Sequence, residues 1–266
     1  MPTWDPTQYA VFAGHRGRPF ADLLARVGAE DPRLVVDLGC GDGPLTLGLA
    51  QRWPRARVVG LDASAAMLAR ARELDGAGRV EWHEVRAQDW DPTGLGAPVD
   101  VLTSNATLQW VPEHRELLPR WVDALAPGGR LALQVPANFD APSHVLMRAV
   151  AADGPWAERL AGVLRHDDAV AEPGEYLALL AGLGLEADVW ETTYLHVLDP
   201  EGAQRQPVLE WVRGTGLRPV LDALTDEDER AAFVARYTAA LDAAYPRTPY
   251  GVVLPFRRLF AVARKP

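Results

Sequence analysis

Apolar and polar positions along this chain follow two different rhythms. As far as residue 135, short apolar runs rich in valine and leucine alternate with longer stretches whose apolar residues recur at helical spacing. The short runs predict strands at residues 34–37, 58–62, 79–84, 98–104 and 130–135. The longer stretches predict helices at residues 21–27, 44–53, 64–74 and 113–125. Ser64 stands where an N-cap belongs, and Pro127-Gly128-Gly129 reads as a stop after residue 125. Strands alternating with helices at this pitch predict an α/β fold built on a doubly wound, mostly parallel sheet.

Beyond residue 135 the rhythm changes. Residues 137–165 look partly helical, 173–183 form a further helix and 186–198 alternate as a strand does. Residues 206–245 are mostly helical, and 256–263 close the chain as a strand. The expected organisation is a single domain over residues 1–266, with a helical segment at 1–32 lying over a cleft and a ligand-binding core at 33–136. Helical insertions at 137–172 and 199–250 form a cap, expected to fold over the cleft rather than stand alone, while 173–198 and 255–264 complete the sheet. No internal repeat or low-complexity linker interrupts this plan.

Residues 35–43 read VVDLGCGDG and carry the chemistry. A strand, a glycine loop (Gly39, Gly41, Gly43) and a helix in succession can hold a nucleotide-like ligand beside a helix N-terminus. A dinucleotide fold wants G-x-G-x-x-G; here the third glycine comes one residue early, and Asp42 stands inside the loop. Asp37 and Asp42 suit a ligand bearing an amino group or a sulfonium better than a pyrophosphate. Asp62 follows at the end of the next strand, where an acidic side chain can bind both hydroxyls of a ribose. Asp37, Asp62, Asp89 and Asn105 all fall at or just past predicted strand ends, where ligands of such sheets bind. Together they form a signature of S-adenosylmethionine binding.

Composition narrows the classes. Of 266 residues, 48% are hydrophobic and 24% charged, as in ordinary globular proteins. No apolar stretch approaches the roughly 20 residues of a membrane helix, and the N-terminal residues lack the basic region and apolar core of a signal peptide. The single cysteine, Cys40, precludes an internal disulfide framework and fits a reducing, cytoplasmic location. It reads as a small loop residue, because its neighbours offer no base to make it a nucleophile. The net charge of −9 and the absence of a basic run argue against nucleic-acid binding. Lys265 is the only lysine, so positive charge is almost wholly arginine, whose planar fork matches carboxylates. The six histidines show no metal-ligand spacing, and no metal or obligate protein partner is expected.

The chain resembles the class I S-adenosylmethionine-dependent methyltransferases, and among them the family that methylates trans-aconitate. The likeness runs through WDPTQY with HRGRP (residues 4–9 and 15–19), VVDLGCGDG, SNATLQWVPEH (104–114), SHVLMR (143–148), WVRGTGLRP (211–219) and PFRRLFAVARK (255–265). The glycine loop is common to many methyltransferases; SHVLMR and WVRGTGLRP are far more particular. The family usually has another residue at Asp42. What the resemblance implies is methyl transfer to a carboxylate of a small tricarboxylate. Gly39 and Gly41 would meet the donor's methionine portion, Asp62 its ribose, Asp89 its adenine amino group and Asn105 the region of the sulfonium. Met67, Trp90 and Leu108 would flank the adenine. The acid would meet Arg16, Arg18, Arg148, Arg213 and Arg218, with Tyr9, His144 and Tyr194 as weaker choices and Trp110 as a pocket wall. A carboxylate is ionised at neutral pH, so no catalytic acid or base is expected. The readings left open are another small or carrier-linked acid as acceptor and a noncatalytic S-adenosylmethionine-binding protein; the glycine spacing and Asp42 argue against a dehydrogenase.

Overall fold

The computed structural model describes residues 13–164 and 169–266, with side chains from residue 17 onward. In chain order the first elements are α1 (Ala13–Leu24), β1 (Leu34–Leu38), α2 (Pro44–Arg52), β2 (Arg57–Asp62), α3 (Ala65–Leu74) and β3 (Val80–Glu84). Next come β4 (Val99–Asn105), α4 (His114–Asp123), β5 (Leu125–Pro136), α5 (Pro142–Ala152), α6 (Ala157–Leu160) and α7 (Pro173–Gly182). The remaining elements are β6 (Glu186–Leu198), α8 (Pro207–Arg213), α9 (Arg218–Ala223), α10 (Glu227–Ala244), β7 (Arg247–Thr248) and β8 (Gly251–Arg264).

The sheet runs β3-β2-β1-β4-β5-β8-β6, with the short β7 paired to β8. Strands β1 to β5 pair in parallel, and β8 pairs antiparallel to β5. This is the mostly parallel, doubly wound sheet that the alternating pattern predicts. Strand order reverses between β1 and β4, so the chain leaves these two neighbours in opposite directions and opens a crevice at their carboxyl ends. Gly39 and Asn105 stand at its two lips.

Several boundaries differ from expectation, among them the start of β8 at Gly251 rather than at residue 256. The first helix begins at least as early as Ala13 and ends at Leu24, with residues 25–27 in a turn. Helix α4 stops at Asp123, and β5 begins at Leu125 rather than at residue 130. Pro127-Gly128-Gly129 therefore lies inside β5, where the register against β4 shifts between Val99 and Val101. A Cβ on Gly129 would come within 2.9 Å of the Val99 carbonyl oxygen, so this bulge needs a glycine. The ammonium of Lys265 donates to the carbonyls of Val122, Asp123 and Leu125, each at 3.0 Å, and so satisfies the end of α4.

Contacts divide the chain into two compact units. One holds Ala13–Pro136, Val170–Thr192 and Arg258–Pro266. Its core comprises Val35, Val36, Leu61, Leu102, Leu131 and Trp121, all fully buried. Here the Arg26 guanidinium lies 3.9 Å from the ring of Trp190, which stacks on Phe260 at 4.9 Å. The other unit comprises Ala137–Ala169 and Thr193–Arg257 among the described residues, and it has a hydrophobic core of its own. Met147 and Val150 of α5 join Phe233, Tyr237 and Leu241 of α10 there, with Val208, Trp211 and Leu217. The Tyr237 hydroxyl donates to the Ser143 carbonyl at 2.7 Å, and the Tyr245 hydroxyl accepts the Ser143 N–H at 3.0 Å. Two buried hydroxyls thus fix the start of α5. Among the described residues no helix is long and apolar enough to cross a membrane.

Candidate active site

The glycine loop follows β1 directly, and its backbone donors are turned inward. The N–H groups of Gly39 and Cys40 both donate to the carbonyl of Leu61, at 2.7 and 3.0 Å. That of Gly41 donates to Asp62 Oδ2 at 2.9 Å, and that of Gly43 to the carbonyl of Cys40 at 3.2 Å. A loop with its N–H groups so engaged is a poor cradle for a phosphate, which needs them free. Its carbonyls and the carboxylates around it suit a cation.

The glycines themselves serve different ends. A Cβ on Gly39 would lie 2.1 Å from Thr107 Oγ1, and one on Gly43 would lie 2.8 Å from the Ala71 Cβ. Those two positions are needed for close packing of the chain on itself. At Gly41, with φ 57°, an added Cβ meets nothing within 4 Å. Of the three, only Gly41 borders open space, and that is where a ligand can approach the backbone.

Asp62 ends β2 with each carboxylate oxygen holding one backbone N–H: Oδ1 accepts from Ser64 at 2.8 Å and Oδ2 from Gly41 at 2.9 Å. Each oxygen keeps a second lone pair, so the side chain can still accept two ligand hydroxyls. Burial is the main cause that raises its pKa, partly offset by those hydrogen bonds. Asp37 is 3% exposed and lies one strand over. Thr46 Oγ1 donates to its Oδ2 at 2.5 Å and Thr103 Oγ1 to its Oδ1 at 3.1 Å. Burial pushes the Asp37 carboxyl up to about 6, against the pull of those two hydroxyls. It ties β1 to α2 and β4 beneath the loop instead of facing open space. Asp42 lies 3.9 Å from the Arg70 guanidinium on α3. Burial and the surrounding carboxylates raise the Cys40 thiol far above its ordinary range, so it stays protonated and inert.

The other expected donor contacts cluster along the same edge of the sheet. Asn105 is the last residue of β4, and its Oδ1 is buried without a hydrogen-bond partner among the described residues. Ala106 follows in a left-handed conformation (φ 54°), with its N–H bonded to the Gln134 carbonyl at 2.8 Å. Met67, Trp90 and Leu108 are buried, and Trp90 packs at 6.5 Å from Trp121. Ser64 caps α3 by accepting the Met67 N–H at 3.3 Å. Asp89 is exposed in the turn after β3, 3.7 Å from Arg86. Trp110 is half-buried at the end of a short 3-10 turn, and Arg18 is exposed on α1. Tyr9 and the side chain of Arg16 lie outside the described residues.

The remaining expected residues belong to the helical unit. Arg213 pairs with Glu210 at 3.2 Å and Arg218 with Asp222 at 3.1 Å. Both line one cavity of about 510 Å³, together with Arg230, Asp222, Glu227, Leu221 and Val234, so its arginines face carboxylates as well as open space. Arg148 is half-buried on α5. His144 Nδ1 lies 3.2 Å from Ser143 Oγ, and Gly216 leaves only 3.2 Å between its missing Cβ and His144 Nε2. The half-buried His144 is therefore wedged by the WVRGTGLRP segment. Tyr194 is buried and stacks on His196, which stacks in turn on Trp211 at 5.0 Å. Sequence reasoning passed over Thr46, Thr103, Thr107, Gln134, Arg230 and Arg258. A signal for one of them was present: Thr103 interrupts the apolar run of β4 after Val101 and Leu102.

A methyltransferase domain family matches residues 35–129 of this chain. A trans-aconitate 2-methyltransferase of Streptomyces coelicolor is 58% identical over all of this chain and 88% of its own length. One from Azoarcus sp. is 50% identical over 99% of each. The YcgJ protein of Bacillus subtilis shares the fold, with a TM-score of 0.59 at 13% identity over 94% of this chain and 98% of that one. So does Haemonchus contortus phosphoethanolamine N-methyltransferase 2 in complex with S-adenosyl-L-methionine, at a TM-score of 0.52 and 17% identity over 94% of this chain and 52% of that one. Sharing half or more of its residues with such relatives along its length, the chain belongs to the trans-aconitate 2-methyltransferase family.

Proposed function

We propose that this chain transfers a methyl group from S-adenosylmethionine to one carboxylate of trans-aconitate, giving a monomethyl ester and S-adenosylhomocysteine. The observation that carries the reading is the inward-turned glycine loop. Its N–H groups are engaged by Leu61, Asp62 and Cys40, while Asp62 and the Asn105 oxygen keep acceptor capacity at the same sheet edge. Such a lining favours a ligand with ribose hydroxyls and positive charge over a dinucleotide. The names of the curated relatives support the acid.

In this reading Asp62 holds the ribose, Gly41 gives the donor's amino-acid portion close approach to the backbone, and Asn105 accepts from its amino group. Met67, Trp90 and Leu108 wall the adenine, and Asp89 receives its amino group. Asp37 acts through the loop it supports. Arg148, Arg213 and Arg218, with His144, bind the acid. Bound S-adenosylmethionine supplies a methyl carbon already activated by its sulfonium. The acid's carboxylate, with a pKa of about 4, is already a nucleophile. The chain's task is therefore to align the two at about 3–3.5 Å and to exclude water. The single cysteine, Cys40, is in keeping with a cytoplasmic location.

The test is incubation of the purified protein with methyl-labelled donor and a panel of di- and tricarboxylic acids, with product identified by mass spectrometry. Label should appear on trans-aconitate ahead of cis-aconitate, isocitrate and citrate. Donor binding with no label on any acid would select a noncatalytic binding protein.

A further inference from the structure

The carboxyl edge of the sheet carries a row of polar side chains that the donor site does not use up. Asn105 and Gln134 are register partners on adjacent parallel strands, so their side chains leave the sheet on the same face. Arg258 pairs in register with Pro136, two residues beyond Gln134, and shares that face. The Arg258 Nη1 donates to Gln134 Oε1 at 2.9 Å, with Arg258 3% and Gln134 0% exposed. A guanidinium can only donate. The Gln134 atom that meets it must therefore be the oxygen, and the amide's Nε2 is fixed on the other side. That nitrogen is buried and finds no acceptor among the described residues; neither does Asn105 Oδ1 find a donor.

Two unsatisfied atoms of opposite kind thus sit on neighbouring strands, which lie roughly 4.8 Å apart. A buried polar atom without a partner costs about 1–3 kcal/mol, and two in register on one face, at and beside the lip of the crevice, call for a ligand that completes them. The adjoining backbone is held in an uncommon conformation at Ala106, whose N–H is pinned to the Gln134 carbonyl. Along the edge the chemistry changes sign. Acceptors (Asp62, Asn105) line the β2–β1–β4 side, and donors (Gln134, Arg258) line the β5–β8 side.

We infer that Gln134 Nε2 binds a carboxylate of the methyl acceptor, with Arg258 as a positioning residue that fixes the orientation of the Gln134 amide. This rests on the proposed methylation of a small acid and adds to it the residues that present the acid to the donor. Because Asn105 and Gln134 are register partners, a carboxylate held at Gln134 lies on the strand next to the one that meets the donor. The donor's own amino-acid end also carries a carboxylate, so the experiment separates the two sources.

Gln134→Glu keeps the shape and gives Arg258 a carboxylate to pair with, but replaces the amide donor with a negative charge. Gln134→Met keeps the volume and removes both polar atoms. For each variant and the parent protein, calorimetry measures binding of S-adenosylhomocysteine, and then of trans-aconitate to the protein saturated with it; steady-state kinetics give the KM for the acid. Both variants should bind S-adenosylhomocysteine as the parent does. Gln134→Glu should weaken the acid by about tenfold or more, with Gln134→Met less affected. Arg258→Lys, which keeps charge but loses the planar fork, should raise the acid KM and leave donor affinity unchanged. Unchanged acid affinity in Gln134→Glu would overturn the inference. Weakening of S-adenosylhomocysteine in place of the acid would assign the carboxylate to the donor and overturn it too. A parent protein that binds the acid without methylating it refutes the proposed activity while Gln134→Glu still tests this contact; a parent that binds no acid refutes both.

Discussion

Thr107 occupies the space that a side chain at residue 39 would require: its Oγ1 lies 2.1 Å from where a Cβ on Gly39 would stand, and it donates to the Gly39 carbonyl at 3.2 Å. The loop after β4 is thereby keyed into the loop after β1 across the crevice where strand order reverses. Gly39→Ala must displace Thr107 and also hold alanine at a φ of 84°. A loss of about 2–4 kcal/mol is expected in denaturant unfolding, from overpacking and a left-handed backbone together. Thr107→Gly in the same chain should recover the overpacking part and leave the backbone part.

Gly41→Ala separates ligand approach from packing. Nothing stands within 4 Å of the added methyl, so the stability cost is limited to the positive φ, about 1 kcal/mol. Donor affinity should nonetheless fall by about tenfold or more, because the methyl enters the space the ligand needs. Calorimetry with S-adenosylhomocysteine and a thermal melt of the same sample check both halves.

Asp62→Asn tests the ribose role without emptying the position. An amide has one acceptor oxygen, so it cannot accept from both Ser64 and Gly41 and still serve two hydroxyls. Donor affinity should drop by about tenfold or more, while the acid KM moves far less. Equal changes in both would argue against the assignment.

The buried Asp37 carboxyl gives a pH signature. Its folded-state pKa is raised from 3.8 to about 6, so the folded chain holds this proton more tightly than the unfolded chain. Its contribution is therefore present at low pH and is lost as pH rises from about 4 through 6. In Asp37→Asn that loss disappears. The stability of the variant relative to the parent should improve across this window by an amount on the order of 3 kcal/mol and then level off. Urea unfolding of both proteins at a series of pH values reads the difference; a constant gap would place the carboxyl's pKa near its ordinary value.

On the acid side, single changes of Arg213 and Arg218 to alanine should raise the acid KM far more than the donor KM. Each also breaks an ion pair with Glu210 or Asp222 that is partly exposed, and such pairs contribute little to stability, so melting temperatures should hardly move.

Much of this was legible in the sequence because it follows from local rules. The alternation over residues 186–198 matched β6, the Ser64 cap formed, and Asp62 and Asn105 fell at strand ends as their positions after apolar runs implied. Pro127-Gly128-Gly129 misled because a bulge inside β5 uses the same residues as a helix stop. What a sequence does not show is that Thr107 fills the space beside Gly39, and Ala71 and Trp82 the space beside Gly43, so that both glycines are needed for packing whatever else they meet. Gln134 and Arg258 went unseen for a related reason. Gln134 lies near the end of an apolar strand and Arg258 follows a second arginine just ahead of an apolar run, and only the pairing of β5 with β8 brings them together. Long-range register is the part of this site that no local pattern encodes.

The most direct measurement is product analysis after the protein is mixed with S-adenosylmethionine and trans-aconitate alone. The account predicts S-adenosylhomocysteine and trans-aconitate monomethyl ester in equal amounts, the ester cleaved by mild alkali. S-adenosylhomocysteine without ester, or no turnover while the donor binds tightly, would contradict it.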